Sequence, residues 1–173
     1  LRKHISLVLQ DVFLFADSLY NNISLFNEKI SKEKVIKASK ELGIHEFIES
    51  LPGRYDYNVR ERGIMLSSGQ RQLIAFLRAY LTEPSILVLD EATSSVDSYT
   101  EESIQQAIKT ITKGKTSLII AHRLTTIRNA DRIIVLDNGQ IVEQGTHEDL
   151  IKIPGGHYLN LYEVQLSKEF SPL

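Results

Sequence analysis

A chain of 173 residues, 42% of them hydrophobic, is one domain of ordinary size with enough apolar material for a core, which excludes a disordered segment. Twenty basic against twenty-two acidic residues leave a formal charge of −2, so the chain as a whole offers no basic field for nucleic acid. The absence of cysteine excludes a disulfide frame and a thiolate metal site, and apolar runs of at most five residues fall far short of the about twenty that span a bilayer.

In chain order, residues 5–9 read as a short buried strand that ends at Gln10. Residues 11–43 read as helices and connections, with Ser31 capping a helix that stops at Gly43. Residues 44–50 add a short helix, and residues 51–62, with Pro52-Gly53, read as a polar loop. From Ser67 the spacing of Leu73, Phe76, Leu77, Tyr80 and Leu81 predicts an amphipathic helix, ended by Pro84. Residues 86–89 form a continuous apolar run, the pattern of a strand covered on both faces. Ser98 and Glu101 fit a capping box for a helix with Ile104, Ala107, Ile108 and Ile111 on one face. Residues 117–121 read as another buried strand. Residues 133–143 form a hairpin around Asp137-Asn138-Gly139. Thr146 and Asp149 open a helix, and Gly155-Gly156 separates it from a last one over 158–166. Strand–helix–strand alternation after residue 85 predicts an α/β layer with parallel strands. The expected division is an α-helical subdomain over 11–81 and an α/β core portion with C-terminal helices over 82–173.

Two local features carry chemistry. Asp90 and Glu91 follow the apolar strand, and the carboxyl end of a parallel strand is where ligands sit. One carboxylate there suits Mg²⁺ through its water shell, and the other can polarise water. Ser67-Ser68-Gly69 precedes an amphipathic helix, whose start exposes unpaired N–H groups and the positive dipole end to an approaching phosphate. Taken singly, each has an ordinary structural reading, as a turn carboxylate or a plain N-cap.

Together, Gln10 after a strand, Leu66-Ser67-Ser68-Gly69-Gln70, Ile86-Leu87-Val88-Leu89-Asp90-Glu91, Ser94-Ser95-Val96-Asp97 and His122 after a strand fall in one order. This set resembles the ATP-binding-cassette family, specifically the nucleotide-binding domain of an exporter, over essentially the whole chain. The resemblance implies a P-loop-NTPase-like α/β core with a truncated parallel sheet, plus an α-helical subdomain. It implies ATP and Mg²⁺ as cofactors. Glu91 is implied as the catalytic glutamate that orients or deprotonates water, His122 as the switch histidine at the γ-phosphate, and Gln10 as the glutamine that reaches Mg²⁺ or the attacking water. Asp90 is implied as the Mg²⁺-linked carboxylate. Ser67, Ser68, Gly69 and Gln70 are implied to meet ATP held by the opposite subunit, and Asp97 to cross the dimer interface. The implied partners are a second nucleotide-binding domain, in a homo- or heterodimer, and the exporter's transmembrane domain, with no nucleic acid. The implied location is the cytoplasmic face of the plasma membrane.

The resemblance also implies a phosphate-binding loop of the form Gly, four residues, Gly-Lys-Ser/Thr. The nearest stretch, Lys109 to Thr116, ends in Gly114-Lys115-Thr116 but has Lys109 where glycine is needed, and it leaves a helix for a strand. Gly114 is therefore read as a helix cap. The loop is expected upstream of Leu1, in a longer parent chain, and the 173-residue piece is expected to be a soluble fragment that binds and hydrolyses ATP poorly. Ser68 replaces a signature glycine, and its cost depends on the sign of φ. Arg60 stands where exporters often have glycine. Two other readings remain at this stage: a cassette ATPase not involved in transport, and a non-catalytic regulatory or binding fragment.

Overall fold

The computed structural model describes residues 4–90, 98–121 and 124–170. Two compact units divide the chain, Leu1–Ile120 and Ala121–Leu173.

The first unit is built on three parallel strands, β1 (Ile5–Val8), β2 (Ile86–Asp90) and β3 (Thr116–Ile120), in the spatial order β1-β2-β3. Between β1 and β2 run α1 (Leu19–Ser24), α2 (Lys32–Glu41), α3 (His45–Glu49) and α4 (Ser68–Leu81); α5 (Ser98–Thr112) joins β2 to β3. The architecture is α/β with a parallel sheet. Each strand order step runs the same way across the sheet, so right-handed crossovers place both connecting helices on one face. Val8, Leu87 and Leu89 point into that face and are buried with α4 and α5, whose line along the sheet is Ile104, Ala107, Ile108 and Ile111.

The same topology corrects the expectation of strands buried on both faces. The alternate residues lie on the opposite face, where Leu7 is 56% exposed, Leu118 58% and Ile120 52%. An apolar strand carries the same sequence whether one or two layers cover it, and among the described residues one layer of helices packs on the sheet.

Local signals set the helices. Ser31 Oγ accepts from Lys34 N and caps α2, which ends before Gly43 at φ 73°. Residues 51–62 are not merely a polar loop. They contain one 3-10 turn, Arg54–Asp56, and open a second, Glu61–Gly63, and they bury Tyr55 and Val59. Tyr55 OH makes a short hydrogen bond with Ser39 Oγ and meets His45 Nδ1 at 2.9 Å, which anchors the segment to α2 and α3. Burial raises the Tyr55 hydroxyl pKa above its ordinary value. The segment also runs antiparallel beside the start of α1, through Leu19 N to Tyr57 O at 2.9 Å and Val59 N to Asp17 O at 3.1 Å. α5 is already helical at Ser98, the residue expected as its cap, whose side chain lies outside the described residues.

The second unit holds an antiparallel hairpin, β4 (Ile133–Asp137) and β5 (Gln140–Gly145), with α6 (Leu124–Arg128), α7 (His147–Leu150) and α8 (His157–Phe170). The hairpin turn has positive φ at both Asn138 (45°) and Gly139 (77°), as a two-residue connection requires. Thr146 and Asp149 form a reciprocal capping box on α7. Glu143 accepts from the amides of His157 (2.7 Å) and Tyr158 (2.9 Å), placing a carboxylate at the positive end of α8. Val135, Leu150 and Tyr158 form the small core of this unit. Among the described residues, no helix is long and apolar enough to cross a membrane.

Candidate functional site

Because the three strands are parallel, their carboxyl ends share one edge, the edge at which open α/β sheets receive ligands. Asp90 is the last residue of β2 and pairs with Ile120 of β3. Val8 pairs with Leu89, so Gln10 lies just past the last paired position of β1, at the same edge, with its side chain exposed. Ala121 follows β3 there. Glu91, Ser94, Ser95, Val96, Asp97 and His122 lie outside the described residues.

The turn at Leu66-Ser67-Ser68-Gly69-Gln70 opens α4. Ser67 is the N-cap: its Oγ accepts from Gln70 N at 3.2 Å, and Gln70 Oε1 accepts from Ser67 N at 3.0 Å. This reciprocal box spends one lone pair of the Ser67 hydroxyl and leaves its O–H free to donate. The backbone amides of Ser68 and Gly69, at the first helical turn, have no partner among the described residues. Ser68 lies inside α4 and is not among the positive-φ residues, so a serine stands there without strain. Gln70 is thus held in the cap itself.

Two residues of α4 were not singled out from the sequence. Arg78 donates from Nε to Asn22 O at 2.7 Å, from Nη1 to Phe13 O at 2.8 Å and from Nη2 to Asn22 Oδ1 at 3.1 Å. Asn22 is itself fully buried, accepts from Phe15 N and donates to Phe15 O. The Ser67-capped helix is therefore tied by one guanidinium to the segment that follows Gln10. Burial lowers the Arg78 pKa to about 10. Gln72 is also buried, and neither of its amide atoms has a hydrogen-bond partner among the described residues. Both are polar residues within α4, flanking its buried Leu73, Ile74, Phe76 and Leu77.

The segment after Gln10 packs closely on the stretch before Ser67. A Cβ at Gly63, where φ is 67°, would be strained and would lie 2.6 Å from Leu14 Cδ1, so a larger residue there forces the Leu14 side chain to shift. Arg60, three residues earlier, has φ 59° and ψ −173°, a conformation that residues with a side chain rarely adopt. Gly114 caps α5 at φ 71° in a turn from helix to strand, which is not a phosphate-loop arrangement.

Residues 1–94 match the family model described as ABC transporter. The chain is 52% identical over 167 residues to YknV of Bacillus subtilis, described as an uncharacterized ABC transporter ATP-binding protein, covering 96% of this chain and 28% of that protein. It is 53% identical over 165 residues to an ATP-dependent lipid A-core flippase of Legionella pneumophila (strain Paris), covering 95% of this chain and 28% of the flippase. The structure of a bacterial Atm1-family ABC exporter with ATP bound superimposes with a TM-score of 0.83 at 39% identity, over 95% of this chain and 28% of that one. The chain thus spans little more than a quarter of the length of the relatives it matches. With the ordered motifs, the parallel sheet and the capped turn at Ser67 in the places described, the chain belongs to the ABC transporter family.

Proposed function

We propose that this chain is part of the ATP-hydrolysing motor of a membrane exporter. The observation that carries the reading is the delivery of Gln10 and Asp90 to one edge of a parallel sheet, in a chain 39% identical to an exporter seen with ATP bound. Relatives described as a lipid A-core flippase and as a probable multidrug resistance ABC transporter support the exporter branch.

The residues present fit the implied groups. The Asp90 carboxylate and the Gln10 side-chain carbonyl are hard oxygen donors suited to Mg²⁺. The free amides of Ser68 and Gly69 and the Ser67 O–H suit a phosphate oxygen. Mg-ATP supplies the phosphoanhydride whose cleavage powers transport. In this reading Asp90 holds the metal, Gln10 reaches the metal or the attacking water, and Glu91 orients or deprotonates that water. His122 donates to the terminal phosphate. Ser67, Ser68, Gly69 and Gln70 close on nucleotide held by a second nucleotide-binding domain, and Asp97 crosses to it. The chain alone, whose Gly114-Lys115-Thr116 turn lacks the first glycine and the strand-to-helix setting of a phosphate loop, turns over ATP poorly.

The transmembrane partner belongs at the segment after Gln10. Phe13, Phe15 and Phe26 are exposed there and pack edge to face at 5.2 and 5.7 Å, an apolar patch that suits a protein partner rather than water. In this reading the domain works at the cytoplasmic face of the membrane.

The test is Glu91→Gln in the full-length protein. It retains bound ATP and loses phosphate release, measured by nucleotide retention and steady-state turnover. Ordinary turnover in that variant refutes the assignment.

A further inference from the structure

The Lys113-Gly114-Lys115 turn, rejected above as a phosphate loop, is nonetheless part of a concave site. It joins α5 to the amino end of β3, and so lies at the end of the strands opposite Gln10 and Asp90. It faces a groove of about 540 Å³ lined by α2 and the last turn of α4, within the size range of small-ligand sites. Four lysines line it, Lys34, Lys37, Lys113 and Lys115, against two carboxylates, Glu41 and Glu83.

The pairing within the groove is uneven. Lys34 Nζ is held by Glu83 Oε1 at 3.1 Å, and Lys37 Nζ lies 4.0 Å from Glu41 Oε1. Glu41 Oε2 also accepts from the Tyr80 hydroxyl at 2.7 Å. Both carboxylates are thus engaged. Lys115 Nζ sits 5.5 Å from the centroid of the Tyr80 ring, an attraction that places the cation over the groove floor without neutralising it. Lys113 has no partner among the described residues. A concave surface with two uncompensated ammonium groups, in a chain whose net charge is −2, concentrates positive potential where it is otherwise scarce. The turn leaves room for a ligand, because a Cβ placed on Gly114 would meet nothing within 4 Å.

We propose that this groove binds a phosphate group carrying two or more negative charges. The lysines act as point charges rather than as a planar fork, which suits a tetrahedral polyanion more than a planar carboxylate. The site is separate from the catalytic edge, and it does not depend on the motor reading. The phosphate can come from a soluble polyphosphate or from a phospholipid headgroup, which share the chemistry.

The experiment uses the 173-residue chain, ¹⁵N-labelled and titrated with inorganic triphosphate at low salt, and in parallel mixed with phosphatidylcholine vesicles with and without phosphatidic acid. Expected are saturable shifts of the Lys113, Gly114, Lys115 and Thr116 amides, or sedimentation only with the phosphatidic acid vesicles. The first outcome assigns a soluble ligand and the second a headgroup. In the double variant Lys113→Gln/Lys115→Gln the affinity falls by about tenfold or more, as loss of two close charges requires, and Lys113→Arg/Lys115→Arg restores it. The spectrum of the glutamine variant away from the turn reports that it is folded. Absence of binding in both arms, shifts confined to Ser67–Gln70, or full affinity in the glutamine variant overturns the proposal.

Discussion

Arg60→Gly is expected to stabilise the fold, against the usual sense of a glycine substitution. Arg60 sits at φ 59° and ψ −173°, where a residue with a Cβ is strained by about 1–3 kcal/mol. Its backbone bonds do not depend on the side chain: its amide donates to Asn58 Oδ1 at 2.9 Å, and its carbonyl accepts from Gly63 N at 3.2 Å. The side chain is exposed and makes no ion pair among the described residues, so its loss removes little. Against the relief stands the extra freedom of glycine in the unfolded chain, about 0.5–1 kcal/mol. The difference is a gain of about 1 kcal/mol, or about 2–4 °C in Tm for a domain of this size. Arg60→Ala keeps the Cβ and the strain and gains nothing. Circular dichroism melts and urea titrations of the native chain and both variants make the comparison. If the glycine variant melts at or below the alanine variant, the strain argument is wrong.

Arg78→Met, which keeps the bulk but removes three donors from the carbonyls of Phe13 and Asn22 and from Asn22 Oδ1, is expected to cost about 2–4 kcal/mol in urea unfolding. A change below about 0.5 kcal/mol refutes the clamp. The Thr146 side chain and backbone amide hold the Asp149 pKa below its ordinary value. Its folded value is therefore the lower one, so the cap on α7 contributes above the ordinary carboxylate pKa and is lost as pH falls through the lowered value. The amide chemical shifts of Thr146 and Asp149 move as pH falls through the lowered Asp149 value in the native chain and do not show that transition in Asp149→Asn. The uncovered sheet face, with Leu7, Leu118 and Ile120 in solvent, leads to self-association of the isolated chain in sedimentation. A clean monomer with a sharp melt counts against it.

The sequence made some of this legible and hid the rest for physical reasons. The Ser67 cap, the Thr146–Asp149 box and the Asn138-Gly139 turn are local, because each needs only residues within three positions and each structure agrees. The edge that collects Gln10 and Asp90 followed from parallel order alone. Coverage of the strands did not, because Leu7 and Leu87 look alike in sequence and differ only in whether the helix layer covers their face. Tyr55 and Val59 were hidden in a polar stretch without periodicity, since Tyr55 is held by Ser39 and His45 and Val59 by pairing with residues 17–19, all earlier in the chain. The Arg78–Asn22 contact joins residues 56 apart and leaves no pattern that a window along the chain can detect.

The ladder gives Gln10 and Asp90 different kinds of attachment. Asp90 lies in the central strand and is stitched to β3 at Ile120, while Gln10 hangs beyond the last rung of an edge strand, two residues past Val8. One behaves as a pin and the other as a hand on a short wrist. A pull on the segment beyond Gln10 moves the glutamine before it disturbs the carboxylate. If the two residues serve as proposed, such an arrangement would let a neighbouring domain engage or withdraw Gln10 while Asp90 keeps its place, adjusting coupling at the rim of the sheet without unfastening its middle.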